Sequence, residues 1–359
     1  MMSHAAFCRL RNAIRPETWK KLNQTLAQAA VDREEISGEM LRLDTTAVET
    51  NIHWPTDSSL LWDSYRTLGR LIGQARDIDP KAVGNRRVHM DRVKKTATKI
   101  ARRARSKGRK APNLKPLFKR IIRHVEGICE WSTELIGRLE QGLRSSRYSC
   151  LDHVVVEGLV VDLRHFEELA RHVIWQASER VLHGRAVSNA QKLFSIFESH
   201  TELLIRGKAG KNIEFGHMVE IEQVESKFIT NYQVFEKRPA EPTLVGPALE
   251  HHQALFGHPP ESLAADKGYW SSEVFEDAAQ RVPVVSIPKK GRRNCVEQER
   301  EHEPLFRMAQ RFRAGIEGSI SFLKRLLRLT RCMNKGWDHF AATVGATIFA
   351  HNLLVLARC

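Results

Sequence analysis

Three carboxylates stand at positions where chemistry can be done. Asp44 closes the short run Met40-Leu-Arg-Leu-Asp44, and Asp266 closes Leu263-Ala-Ala-Asp266, so each arrives where a strand would end. Glu317 lies in the stretch Phe306 to Arg325, whose apolar Phe312, Ile316, Ile320 and Leu323 recur at helix spacing. On another face of that helix Arg313, Glu317 and Lys324 share a stripe. Alone, a carboxylate between two cations reads as a solvated ion pair. Combined with two strand-end aspartates, it completes a set able to hold two divalent metals over a phosphodiester. Three facing carboxylates repel one another until cations intervene. Two ions roughly 3.5–4 Å apart balance the charge and clamp the attacking and leaving oxygens of an in-line displacement. Mg²⁺ suits such a site because it prefers oxygen ligands and recruits substrate phosphate to complete its octahedron.

The elements that must position these groups follow from pattern. Met40–Asp44 alternates around Arg42, and β-branched Thr45, Thr46 and Val48 can continue the strand. Pro55–Ser59 supplies a cap, and Leu60–Ala75 is helical in period. From there to about His200 the chain reads as helices; Val154–Val161 could be a strand, although an amphipathic helix fits its neighbours better. Glu214–Ile221 and Lys227–Phe235 then look like paired strands. Next come a helix from Pro247 to Phe256, the strand ending at Asp266, a helix at Ser271–Gln280 and the strand Val282–Ile287. A charged, loop-like stretch from Lys289 to Glu303 leads into the Glu317 helix. The fold class is α/β (α+β): with the helical insertion set aside, the order resembles an RNase H-like mixed five-stranded sheet flanked by helices. The expected organisation is a short helical segment at 1–38 and an RNase H-like domain split between 39–53 and 201–332. A helical, basic insertion at 54–200 separates its parts, and a C-terminal helix at 333–359 packs on it. In such a sheet the first strand is central and adjoins the strand of Asp266, so the two aspartates approach despite their separation in sequence.

The 359-residue chain carries a formal net charge of +15, and the excess is concentrated. Between Lys81 and Arg123 stand 17 Lys/Arg against one acid, Asp91. That block implies a polyanionic partner, nucleic acid first; Lys94, Lys95, Arg102, Arg103, Arg105, Lys107, Arg109 and Lys110 are its candidate phosphate contacts. A membrane surface fits less well, since few large apolar residues are interleaved. Cys8, Cys129, Cys150, Cys295, Cys332 and Cys359 form no Cys-x-x-Cys pair, which favours reduced cytosolic thiols. No apolar signal-peptide core follows Met1. The apolar run Ala341–Ala357, broken by His351-Asn352, reads as a buried helix.

Several other residues read better as structure. His165 and His172 lack a third ligand; Glu214, His217 and Lys208 belong to the sheet and its edge; Asp57 and Asp63 fit helix capping. Trp270 could stack on a flipped base, but packing is the simpler role.

From about Arg15 to Arg358 the chain resembles the DDE-type transposases of bacterial insertion sequences. The resemblance rests on Asp44-Thr-Thr, on Asn51-Ile-His-Trp-Pro-Thr-Asp-Ser-Ser-Leu-Leu61, and on Ala265-Asp-Lys-Gly-Tyr269. It rests also on Arg313, Glu317 and Lys324 at the spacing of the family's Tyr-x2-Arg-x3-Glu-x6-Lys motif, with Gln310 where the tyrosine would stand. That departure weakens a DNA-contact role at this position. The resemblance implies that Asp44, Asp266 and Glu317 bind two Mg²⁺ ions, for which Mn²⁺ can substitute. It implies that the same site nicks the element end to leave a 3′-hydroxyl and then uses that hydroxyl on target DNA. Arg313 and Lys324 would hold phosphates nearby. Its implied partners are transposon-end and target DNA, with a homodimer formed on DNA and no membrane, in a bacterial cytoplasm near the nucleoid. Only about 38 residues precede the first strand, so a shortened copy acting only as a DNA-binding protein stays open as an alternative; an RNase H-like nuclease without strand transfer is a second.

Overall fold

The structure is a computed structural model that describes residues 13–105, 112–205 and 212–358. Its described residues form two compact units, one from those within 13–51 and 200–358, the other from those within 52–199.

The first unit is laid on strand β1 (Met40–Glu49), which is buried almost without interruption because both faces are covered. One pleat face sends Leu41 and Leu43 into a cluster with Leu244, Ala248 and Leu263. On the other, Val48 joins Ile221, Ile316, Phe340 and Val344. The remaining strands are β2 (Glu202–Ile205), β3 (Ile213–Gln223), β4 (Ile229–Val234), β5 (Ser262–Ala264) and β6 (Val284–Ser286), ordered β2-β3-β1-β5-β6 with β4 also on β3. β3 runs antiparallel to β1, while β5 pairs parallel with both β1 and β6. This mixed sheet has the RNase H-like character that the pattern implies, with one strand more than five. The extra strand is β2, which shares the outer edge of β3 with β4. Only Leu204 of its four residues is buried, so it carries no alternation long enough to announce a strand.

Helices cover both faces. α1 (Pro16–Asp32) packs against the C-terminal helix, where Asn23 Nδ2 donates to Gly345 O at 3.0 Å. A Cβ at Gly345 would lie 2.4 Å from Tyr232 Oη and 2.8 Å from Trp19 Cβ, so the close approach requires glycine. The C-terminal helix, Trp337–Leu356, is long and apolar enough to cross a membrane by length and composition alone. Within this unit its Asn352 brackets Ile229, accepting from the backbone N–H at 3.0 Å and donating to the carbonyl at 2.8 Å. Lys289–Glu303 is not all loop. Asn294 and Glu297 form a capping box that starts a helix at Cys295–His302, and Arg293 pairs with Glu301 at 2.9 Å. Local ion pairs thus make a helix from a stretch with little apolar periodicity.

The second unit is helical, with α2 (Asp57–Ile78), α3 (Pro80–Val83), α4 (Met90–Arg103), α5 (Lys115–Arg144) and α6 (Cys150–Ala177). Val154–Val161 lies inside α6. On α4, Val93, Ala97 and Ile100 face the core while Lys94, Lys95, Arg102 and Arg103 are exposed. Asp57 does open α2, but the cap is Thr56, whose side chain accepts from Ser59 N.

Candidate active site

We label the helices that follow α6 as α7 (Val245–Phe256), α8 (Ser272–Arg281), α9 (Cys295–His302), α10 (Pro304–Arg325) and α11 (Trp337–Leu356). α10 crosses β1, β5 and β6 and buries Phe306, Ala309, Ile316, Ser319 and Leu323 against them. Each large apolar side chain in that set contributes roughly 1.5–3 kcal/mol. Polar clasps then set the helix in register. Gln310 Nε2 donates to Ala265 O at 3.2 Å and to Ser286 O at 2.6 Å, tying α10 to the ends of β5 and β6. The residue at the unmatched tyrosine position therefore has a structural task here.

Arg42 makes the second clasp. Its guanidinium donates to Phe312 O and to Gln223 Oε1, and lies 4.3 Å from the Phe312 ring centroid. Ser319 Oγ reaches the same Gln223 oxygen at 3.1 Å. A Cβ on Gly315 would come within 2.5 Å of Arg42 Nη1, so a small residue is needed there. Burial lowers the Arg42 pKa to about 10, a large perturbation for a guanidinium.

These clasps set Arg313 over Asp44. Arg313 Nη2 lies 3.4 Å from Asp44 Oδ2, and Nη1 lies 3.6 Å from Glu317 Oε1, so one guanidinium spans two of the three carboxylates singled out by sequence. Asp44 Oδ1 accepts from Thr45 N at 2.8 Å. Glu317 is the outermost of the three, with its side chain 69 % exposed against 15 % for Asp44. Asp266 caps the short turn Lys267–Tyr269 by accepting from Gly268 N at 2.6 Å. The parallel register pairs Met40 with Ser262 and Arg42 with Ala264, and Asp44 and Asp266 each follow two residues beyond that last pair. Among the described residues no three His, Cys, Asp or Glu side chains stand together at metal-ligand spacing. Lys324, seven residues beyond Glu317, is half-buried in the last turn of α10.

Other residues singled out by pattern fall elsewhere. Lys94, Lys95, Arg102 and Arg103 line one groove on α4 with Thr98 and Lys99, and Arg105 is exposed just beyond. Lys107, Arg109 and Lys110 lie outside the described residues, as does Lys208. Trp270 packs against the β5–β6 cluster with Lys289 Nζ 5.4 Å from its ring centroid. His217 is fully buried, 2.7 Å from His200 across facing ring nitrogens.

Sequence reasoning passed over the neighbours of the aspartates. Thr45 Oγ1 donates to Glu241 Oε1 at 3.1 Å, and Glu220, opposite Thr45 on β3, is 2 % exposed. Burial, then Glu222, pushes the Glu220 carboxyl up to about 8. Tyr269 is 1 % exposed, and burial raises its phenol well above the ordinary value, reinforced by Glu220, Asp44, Glu241 and Asp266. The only signal for Tyr269 was its place three residues after Asp266; Glu241, in Ala-Glu-Pro-Thr, gave none.

Residues 208–353 match the transposase DDE domain family, a stretch that takes in Asp266, Arg313 and Glu317 but not Asp44. No curated protein and no solved structure matches the chain.

Proposed function

We propose, from the match of residues 208–353 to the transposase DDE domain family, that this chain cuts DNA at insertion-sequence ends and joins the freed 3′-hydroxyl to target DNA. The observation that carries this reading is the Arg313 guanidinium held between Asp44 and Glu317, beside a parallel strand pair whose register leads to Asp266. The donor set fits a hard divalent cation. Three carboxylates offer only oxygen, and backbone N–H groups of Thr45 and Gly268 orient Asp44 and Asp266. Asp44, Asp266 and Glu317 would hold Mg²⁺, or Mn²⁺ in its place, which when bound supplies Lewis-acid activation and neutralises charge at the phosphate.

The chain's own groups do the positioning. Arg313 orients Asp44 and has a fork suited to a phosphate oxygen pair. Glu317, exposed on α10, has room to change rotamer when DNA arrives. Gln310 and Arg42 keep α10 in register over the strand ends, which limits the error in where Glu317 is presented. The exposed basic face of α4, with Arg105, would take DNA backbone without reading sequence.

The test is Mg²⁺-dependent cleavage and joining of element ends by the wild-type chain and by Glu317→Gln. Wild-type cleavage with joined products, lost in the variant while DNA affinity is kept, is the expected result. Cleavage that survives Glu317→Gln would refute the assignment, and cleavage without joining would make the chain a nuclease.

A further inference from the structure

After β4 the chain enters a short turn, Glu241–Leu244, ahead of α7. The turn delivers Glu241 to the ends of β1 and β5. Its Oε1 accepts from Thr45 Oγ1 at 3.1 Å and from Arg238 Nη2 at 3.3 Å. Oε2 lies against Gly268. A Cβ built there would be 2.1 Å from Glu241 Oε2 and 2.8 Å from Asp266 Oδ1, so two carboxylate oxygens from different elements crowd one point. Arg238 neutralises Glu241 only in part, since its side chain is 41 % exposed and touches the other oxygen.

A second observation points to a ligand. The Tyr269 hydroxyl is buried and has no hydrogen-bond partner among the described residues, and the charges acting on it are those of Glu220, Asp44, Glu241 and Asp266. A buried O–H that feels this negative charge yet donates to no acceptor among the described residues leaves its hydrogen bond for a group bound from outside the chain.

We infer that Glu241 is a fourth carboxylate of the metal centre, sharing a divalent cation with Asp266 on the β5 side, with the Tyr269 hydroxyl lining the same site. The inference rests on the reading of Asp266 as a metal ligand. It gives the conserving of space at Gly268 a purpose: a side chain there would separate Glu241 from Asp266. It also gives Thr45, next to Asp44, the role of steering the Glu241 carboxylate.

The test uses the full chain, titrated with Mn²⁺ by calorimetry and melted in EDTA or in Mn²⁺. Glu241→Gln is expected to weaken Mn²⁺ binding about tenfold or more and to shrink the metal-induced rise in melting temperature, without lowering the melting temperature in EDTA. A purely structural Glu241 gives the reverse, a lower melting temperature in EDTA with the metal-induced rise intact, and that result overturns the inference. So does wild-type Mn²⁺ affinity in the variant. Should Glu241→Gln fail to fold, Glu241→Asp keeps the charge but shortens the reach; unchanged affinity there also overturns it. Asp266→Asn separates the two levels of the argument. If it binds Mn²⁺ as the wild type does, the ligand reading of Asp266 fails and the inference with it. If it loses binding while Glu241→Gln does not, only the inference fails.

Discussion

Gly268→Ala adds one methyl group at the tightest point of the site. The new Cβ would fall 2.1 Å from Glu241 Oε2 and 2.8 Å from Asp266 Oδ1, where ordinary contact begins at 3.4 Å. Both obstacles are side-chain ends, so the clash is relieved by pushing carboxylates aside and not by moving a strand. The backbone has no objection of its own, because Gly268 is not among the glycines at positive φ. An alanine there gains about 0.4–1 kcal/mol from the stiffer unfolded chain, which offsets part of the crowding. The prediction therefore divides. Stability stays within about 1 kcal/mol of wild type, while Mg²⁺-dependent cleavage falls about 100-fold, the cost of a misplacement near 1 Å. That loss corresponds to about 2.7 kcal/mol in the barrier. Single-turnover cleavage of an element-end duplex, run beside thermal melts, measures both. Wild-type cleavage by the alanine chain would refute the geometric reasoning, and a matched fall in stability and rate would reassign Gly268 to folding alone.

Burial holds the His252 imidazole down at about 4, against an ordinary 6.5. Between those values the unfolded chain binds a proton that the folded chain refuses, so stability is lost as pH falls, by about 3 kcal/mol across the window. Urea denaturation at pH 4.5 and pH 7 should show that loss in the wild type and a smaller one in His252→Leu; equal losses in both would sink the argument. Gly216→Ala would set a Cβ 2.0 Å from Val48 O and 2.7 Å from Glu49 Cα, both backbone, so β1 and β3 must part. A melting temperature within error of wild type would contradict a predicted loss of about 3 kcal/mol. Replacing Lys94, Lys95, Arg102 and Arg103 by alanine should flatten the salt dependence of DNA binding by up to about 3.6 in log–log slope. An unchanged slope would remove the α4 face from the DNA contact surface.

Much of this molecule was readable in one dimension. The period-two run into Asp44 and the 3.6-residue period around Glu317 announced β1 and α10, because each element buries a face and the burial repeats with the backbone geometry. The basic residues of α4 were equally plain, since charge composition needs no partner to be counted. β2 escaped because its pairing is supplied by β3 and not by its own four residues, and α9 escaped because its stability lies in a capping box and ion pairs. The site divides the same way. Residue type and spacing picked out Asp44, Asp266, Arg313 and Glu317. Only the folded chain decided that Arg313 reaches Asp44 and that Gln310 serves as a clasp. It also decided that Glu241, invisible in sequence, comes to lie against Gly268, close to an Asp266 carboxylate oxygen. Those contacts join residues far apart along the chain, and no local periodicity encodes the register of a helix laid across a sheet.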